Sequence, residues 1–542
     1  MKKLELKNVS SLEKIMPQMT CAVARQDSGS VLLDEVFSYQ IAFKLKESDA
    51  KELDIEICSD LNQYIRIYTV RYVPVMNNRR WMYCDENVIS DSPGVFPDVL
   101  EPAEGVVSAS SHYYNAIWID VKPEKGTTAG VHNIKISFKD RDTDEVWGES
   151  NFDLEVIGKS LPALDIPFTQ WFHCDCISSY YDCEPLTERH WELIERYMKT
   201  AVEHGVNMIL TPIFTPALDT KIGAERPTVQ LVDVSYESGV YTFGFEKLQR
   251  WLELCRKVGV KYLEMAHLYS QWGAKATPKV EVKENGRMVK KFGWHTEALS
   301  EEYKDFIAQL LPQLTAFLER NWVKENIFFH ISDEPNALHI EHYGEIYRFI
   351  SPLLSGFNQI DAISDYEIYE KGYIDIPVSS TTAISNFIDR GVENLWAYYC
   401  CDQSKNNLSN RMIAMTSHRN RILGVQAYKY NIKGLLQWGY NFWYNKHSTR
   451  LINPYLVNDT DGALPSGDAF SVYPGRNGAL PSLRLKVFRN ALQDIMALKL
   501  LENKIGREKV MELLSEVEGF TDYPDDSSYI PELREKINAL LR

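Results

Sequence analysis

Two adjacent carboxyls, Asp333 and Glu334, close an apolar run, Ile327-Phe328-Phe329-His330-Ile331-Ser332, and are followed by Pro335. Consecutive residues of a regular strand point to opposite faces, so both acids can serve one site only where the strand breaks. Pro335 supplies the break, because it lacks an N–H and steers the residue before it away from helix. Like charges crowded together push their pKa values apart, leaving one carboxyl protonated as a donor and the other ionised. That is the equipment for acid–base work on a glycosidic bond. The plainer reading is that one of the acids caps the helix that follows; spacing alone does not choose.

Other chemistry-bearing residues lack the spacing their chemistry needs. Where a metal-dependent barrel hydrolase would carry His-x-His, this chain has His173 followed by Cys174-Asp175-Cys176. Cys174, Cys176 and Cys183 fit no common zinc pattern. His339 and His342 lie three apart around Glu341 and read as a solvated helix face, while the Cys400-Cys401 pair reads as packing rather than redox chemistry. The nine cysteines, which also include Cys21, Cys58, Cys84 and Cys255, are too irregular for a disulfide framework. There is no Gly-x-Ser-x-Gly nucleophile elbow and no dinucleotide fingerprint after the first barrel strand. Neither a metal nor a cofactor is expected.

Two kinds of element must hold the acids in place. From Val31 to Ile157 short runs alternate apolar and polar residues, as in Glu52–Ile57, Tyr64–Val70, Ala116–Val121 and Val131–Phe138, which predicts antiparallel strands with one buried face and a β-sandwich. Gly158-Lys159-Ser160-Leu161-Pro162 ends the pattern, so residues 1–160 form the first domain. Eight apolar strand candidates follow: Ile166–His173, Asn207–Thr211, Lys261–Ala266, Ile327–Ser332, Ile360–Asp365, Tyr373–Val378, Asn394–Tyr398 and Gly434–Trp438. Amphipathic segments lie between them, such as Glu188–His204 with Trp191, Ile194 and Met198 on one face. Eight such units match a (β/α)8 barrel over residues 161–505, with a helical extension over 506–542. An open doubly wound sheet is the alternative.

In a barrel the site lies at the C-terminal ends of the strands. Those ends carry His267, Tyr269 and Trp272 after the third strand, Tyr366 after the fifth, Trp396, Tyr398 and Tyr399 on the seventh, and Gln437-Trp438-Gly439-Tyr440-Asn441-Phe442-Trp443 after the eighth. Any one of these can be core packing. Together they describe a pocket for a neutral, hydroxyl-rich ligand, for which His267, Tyr366, Trp396, Tyr398, Trp438, Asn441 and Trp443 are the candidate substrate contacts. The insert Ala274–Glu297, rich in lysine, is where specificity could vary.

Charge limits the partners. With 59 basic and 75 acidic side chains the chain carries −16, which repels nucleic acid and anionic lipid. No window offers about 18 uncharged apolar residues, and the basic start Met1-Lys2-Lys3 is not followed by an apolar run. A cytoplasmic protein acting on a small neutral molecule is expected; the oligomeric state is not legible.

His330-Ile331-Ser332-Asp333-Glu334-Pro335 resembles the Asp-Glu motif of glycoside hydrolase family 123, the β-N-acetylgalactosaminidase family. The resemblance takes in Phe96-Pro97-Asp98-Val99-Leu100-Glu101-Pro102, Trp118-Ile119-Asp120-Val121 and Gly126-Thr127-Thr128-Ala129-Gly130 upstream. Downstream it includes Gly434–Trp438, Tyr473-Pro474-Gly475 and Pro481-Ser482-Leu483-Arg484. It implies a retaining mechanism in which the substrate's 2-acetamido carbonyl is the nucleophile. Asp333 would orient the acetamide and Glu334 would be acid and then base, with Tyr366, Trp396, Tyr398 and Trp438 as candidate walls around the acetamido methyl. Two other readings stay open: a two-carboxylate glycosidase using Asp365 or Asp402 as second acid, and a non-catalytic carbohydrate-binding protein.

Overall fold

The computed structural model describes residues 3–18, 23–47, 50–76, 85 and 87–542; Met1, Lys2, Cys21 and Cys84 lie outside them. The N-terminal part is two five-stranded sheets. One has the order Leu4–Ser10, Phe37–Leu45, Asn115–Val121, Ile65–Val75, Gly94–Pro102, with every pair antiparallel. The other has the order Ser28–Leu33, Val146–Ser160, Gly130–Asp140, Ala50–Cys58, Val106–Ser110. Tyr39, Ile41, Phe43, Ile117 and Ile119 of the first sheet meet Ile134, Ile136, Phe138, Leu154 and Val156 of the second in one core, as period-two alternation requires.

Two features depart from the sequence expectation. Ser28–Leu33 pairs with Val146–Ser160 in parallel; the chain enters and leaves that strand from the opposite sheet, so no tight turn forces an antiparallel partner. The first sheet is also buried on its outer face, where Val9, Ala42, Val70, Leu100 and Trp118 pack against Leu483 and Val487.

The eight apolar runs all become strands: β1 Phe168–Gln170, β2 Met208–Thr211, β3 Tyr262–Met265, β4 Ile327–Phe329, β5 Asn358–Ile363, β6 Ile376–Ser380, β7 Trp396–Tyr398 and β8 Gly434–Gln437. They close into a barrel in sequence order with every pair parallel. Helices α1 Cys174–Tyr180 and α2 Glu188–Glu203 follow β1, α3 Glu246–Val258 follows β2 and α4 Glu301–Asn321 follows β3. After β4 to β8 come α5 Ile340–Ile350, α6 Tyr366–Glu370, α7 Ser385–Ile388, α8 Ser417–Lys429 and α9 Leu483–Ile505. α2 buries Trp191, Ile194 and Met198. α3 stops at Gly259, whose φ of 94° lets its N–H turn back to Cys255 and Arg256 carbonyls.

The lysine-rich insert folds into Val280–Glu284 and Arg287–Phe292, which join Asp233–Glu237 and Val240–Gly244 in a four-stranded sheet. Three of its five lysines are paired: Lys279 and Lys290 with Glu225, Lys291 with Glu284 and Glu302. At the C-terminus α10 Arg507–Leu513 and α11 Tyr529–Leu541 pack on α8 and α9 and reach the sandwich at Leu32 and Ile157. No helix among the described residues is long and apolar enough to cross a membrane.

Sandwich and barrel are clasped by buried charge. Asp98 accepts two hydrogen bonds of 2.9 Å from Arg484 and one of 2.6 Å from the Tyr473 hydroxyl. Asp120 accepts from Lys486 at 2.6 Å, Arg489 at 3.0 Å, Trp118 Nε1 at 2.7 Å and Ser38 at 2.7 Å. Burial works against the Asp120 charge, yet Arg489 and Lys486 outweigh it and hold the carboxyl far below its ordinary range. Arg484 also donates to the carbonyls of Arg411, Gly467 and Phe470. Arg411 in turn donates to Gln170 Oε1, Gln437 Oε1 and the Asp468 carbonyl, so the clasp extends to the ends of β1 and β8.

Candidate active site

The site is built up from the barrel interior. His330, one residue past β4, is fully buried with Nε2 2.7 Å from Glu264 Oε1 of β3 and Nδ1 3.0 Å from Asp361 Oδ1 of β5. Burial alone would drive the ring neutral, but hydrogen bonds to Asp361 and Glu264 prevail and lift its pKa from 6.5 to about 9. Glu264 further accepts from Trp171 Nε1 at 2.8 Å and Thr169 Oγ1 at 2.5 Å. Asp361 accepts the N–H groups of Ile331 and Ser332 at 3.1 and 3.2 Å and the Tyr343 hydroxyl at 2.5 Å. An acid–histidine–acid line therefore crosses three strands and fixes the backbone immediately before Asp333. Paired and fully hydrogen-bonded, these charges avoid the cost of isolated buried ions.

Above this line the chain breaks at the position marked by Pro335. Glu334 has φ of +46°, a left-handed conformation uncommon for a residue with a Cβ and concentrated at functional sites. Its Oε1 accepts a 2.6 Å hydrogen bond from the Tyr398 hydroxyl of β7, which also lies 3.4 Å from Ser364 Oγ. The Asp333 carbonyl accepts the Trp272 N–H at 2.8 Å. Both carboxyls are half-buried. Burial, then the Glu334 charge, raises the Asp333 pKa well above its ordinary value; Asp361 and Asp219 add to this and His330 opposes it. Burial also raises Glu334, with the Tyr398 hydrogen bond opposing and Asp402 adding. Such a pair titrates as a unit and retains a proton more readily than free carboxyls do.

A third acid joins them. Asp219, in the loop after β2, accepts the His447 N–H at 3.2 Å while its carbonyl accepts the Ser448 hydroxyl. Burial raises its pKa to about 6. Asp219, His447 and Ser448 all have positive φ.

The sequence-selected residues divide into two sets. Tyr398 touches Glu334. His267 is 3% exposed and stacks on His330 at 4.2 Å; both its ring nitrogens lack partners, and burial followed by the His330 charge keeps it neutral. Trp438, one residue past β8, is half-buried, its Nε1 3.0 Å from Asp468 Oδ2. Trp396 sits at the opposite end of β7, packed on Phe328 and over Gly434 in the lower barrel interior. Asn441 is a brace, exchanging hydrogen bonds with the His173 backbone at 2.9 and 3.0 Å. Trp443 packs between Tyr180 and Tyr197, and Tyr366 packs on Phe387 and Arg390.

Residues weighed for other chemistry also have positions. Asp365 accepts the Ala337 N–H at 2.7 Å and so holds the loop after β4, whereas Asp402 is exposed. His339 and His342 do not form a solvated face: His339 abuts Gly273, and His342 Nε2 lies 3.0 Å from the Ala274 carbonyl. Cys174 and Cys176 are buried free thiols whose pKa burial raises; Cys400 and Cys401 are half-buried free thiols. His267, His330 and Asp361 bring three ligand atoms within 4.8 Å of one another. Both His330 nitrogens already face carboxylates and both Asp361 oxygens already accept N–H or O–H groups, so a cation there would have to dismantle that network.

Sequence reasoning missed Glu264, Asp361 and Asp219. The first two had a signal, a lone acid inside an apolar strand run, since a parallel strand covered on both faces cannot leave a carboxylate unpaired. Asp219 lies in a loop with no pattern. A cleft of about 820 Å³ between the sandwich and α11 is remote from all these groups, so the carboxyls, not cavity size, locate the chemistry.

Known proteins resemble this chain in sequence pattern and in fold. A family model described as glycoside hydrolase 123, catalytic domain, matches residues 171–501. A solved family 123 glycoside hydrolase from Clostridium perfringens, described in terms of glycolipid glycan hydrolysis, superimposes with TM-score 0.75 at 14% identity, covering 99% of this chain and 97% of that one. A β-glucuronidase from Ruminococcus gnavus gives TM-score 0.33 at 8% identity, covering 84% of this chain and 66% of that one. A family 5 mannosidase from Rhizomucor miehei gives 0.34 at 13% identity, covering 68% and 97%. No curated protein matches the chain.

Proposed function

Because the chain belongs to glycoside hydrolase family 123, we propose that it removes terminal β-linked N-acetylgalactosamine with retention, the substrate's own 2-acetamido group acting as nucleophile. We read the eight-stranded barrel with a helix after each strand as a (β/α)8 barrel, its site at the C-terminal strand ends, and divide the chain into units 1–160, 161–505 and 506–542. The observation that carries the reading is the Asp333–Glu334 pair, two carboxyls of raised pKa at the mouth of β4.

In the free site the proton of the pair favours Asp333, because Tyr398 stabilises the Glu334 anion. An acetamide N–H donated to Asp333 reverses the preference: the Asp333 carboxylate gains a partner, and the proton is held on Glu334, facing the glycosidic oxygen. As the bond to the leaving group breaks, the acetamido oxygen closes on the anomeric carbon and positive charge spreads over the resulting five-membered ring. An ionised Asp333 beside that charge lowers the barrier. Glu334, now a carboxylate, takes a proton from the water that opens the ring. Tyr398 and Trp438 stand as walls of the sugar pocket. A glycolipid glycan, the substrate class named for the Clostridium protein, is one source of such a terminal sugar.

The test is a panel of aryl β-glycosides with and without the 2-acetamido group. Hydrolysis confined to acetamido sugars, inhibition by a thiazoline mimic of the intermediate, and a loss of kcat of about 10²-fold or more in Glu334→Gln are expected. Equal hydrolysis of sugars lacking the acetamide would transfer the nucleophile role to a second carboxylate and end the assisted reading.

A further inference from the structure

An exposed tryptophan stands beside the carboxyl pair. Trp272 is 43% exposed although Gln271, Gly273 and Ala274 around it are buried. Its own N–H is bound to the Asp333 carbonyl at 2.8 Å. Its ring meets the His447 ring edge-on at 5.9 Å, and the His447 N–H is bound to Asp219, whose charge acts on Asp333. Those contacts close a circuit, so the indole lies on the mouth side of its loop.

The loop is fixed, not loose. Trp272, Gly273 and Ala274 all have positive φ, at 53°, 107° and 51°. A Cβ on Gly273 would lie 2.7 Å from the His339 ring, and the Ala274 carbonyl faces His342. A large apolar ring held rigidly in water loses little conformational freedom on binding, and its face matches the flat C–H face of a pyranose.

We propose that Trp272 is the platform for the leaving-group ring, one sugar outward from the bond that is cut; this rests on the glycosidase reading of the site. The sugar being released sits deeper, against Tyr398 and Glu334, because Tyr398 is buried and Trp272 is not. The exposed indole meets the next ring. A neutral ring suits that place better than an anionic one, since the Asp219 charge acts on Asp333 and Asp219 holds the backbone of His447, whose ring meets Trp272.

A pair of substrates separates the roles. A disaccharide with β-linked N-acetylgalactosamine on galactose places a ring on Trp272, whereas N-acetylgalactosaminyl fluoride has a single-atom leaving group. Trp272→Gly removes the ring but tolerates the positive φ. The expected result is a fall of about 10-fold or more in the ratio of kcat/KM for disaccharide to that for fluoride, carried mainly by KM and largely restored in Trp272→Tyr. A ratio equal to that of the wild type overturns the proposal: parallel losses on both substrates would mean that Trp272 serves only to hold Asp333, and no loss on either would mean it serves neither. Fluoride turnover by each variant reports that it is folded. If the wild type cleaves neither substrate, the glycosidase reading itself fails, a result distinct from an unchanged ratio.

Discussion

At the scale of single residues, the Tyr398 hydroxyl donates the hydrogen bond that favours the charged form of Glu334. Tyr398→Phe removes a donor to the anion, so the last proton of the pair is held more tightly and the basic limb of the kcat/KM profile moves to higher pH. kcat falls by about 10-fold, because the acid is then less willing to give its proton up. A pH–rate series on an aryl N-acetylgalactosaminide checks both; a basic limb at the wild-type pH would show that Glu334 does not set it. Asp333, Glu334 and Tyr398 were legible because chemistry and strand-end position coincide in sequence. Trp396, at the start of a three-residue strand, and Asn441 and Trp443, just past β8, were not separable from them, since they share the aromatic and polar composition of a site-facing strand end. Asp219 reaches the site from a loop after β2, and loop geometry leaves no periodic trace.

At the scale of elements, β3, β4 and β5 share one charge network, and its pH dependence has a definite sign. The His330 ring titrates near 9 when folded against 6.5 when free. The stabilisation from its charge is complete below about pH 6.5 and is lost as pH rises through about 9, a contribution on the order of 3 kcal/mol. Melting temperatures measured from pH 6 to 9.5 should decline over that window, and His330→Gln, less stable at pH 6, should show a flatter profile; a variant parallel to the wild type would remove His330 as the cause. The eight strands were readable as apolar runs because each is covered on both faces. The four-stranded sheet made from the lysine-rich insert was not, because Ser235 pairs with Lys283 across a separation that local pattern does not encode.

At the scale of the molecule, the segments Phe96–Pro102, Trp118–Val121 and Pro481–Arg484, which resemble a family pattern, are where sandwich and barrel grip each other. Asp98→Asn leaves Arg484 charged and buried without its carboxylate, and chemical denaturation should show a loss of about 3–5 kcal/mol. Replacing Asp98 and Arg484 together by apolar residues should cost less than the single change; equal losses would mean that the clasp acts by shape alone. The sequence carried the alternation of the sandwich but not its second buried face, because Ala42, Ala116 and Trp118 find their cover only when α9 arrives. That delay matters during synthesis. Asp98 precedes Arg484 by 386 residues, roughly 20 to 80 s of translation at ribosomal speeds. A sandwich that folded ahead of the barrel would show that apolar face to water with the polar Asp98 and Asp120 side chains set in it, a break in an otherwise sticky surface until α9 covers them.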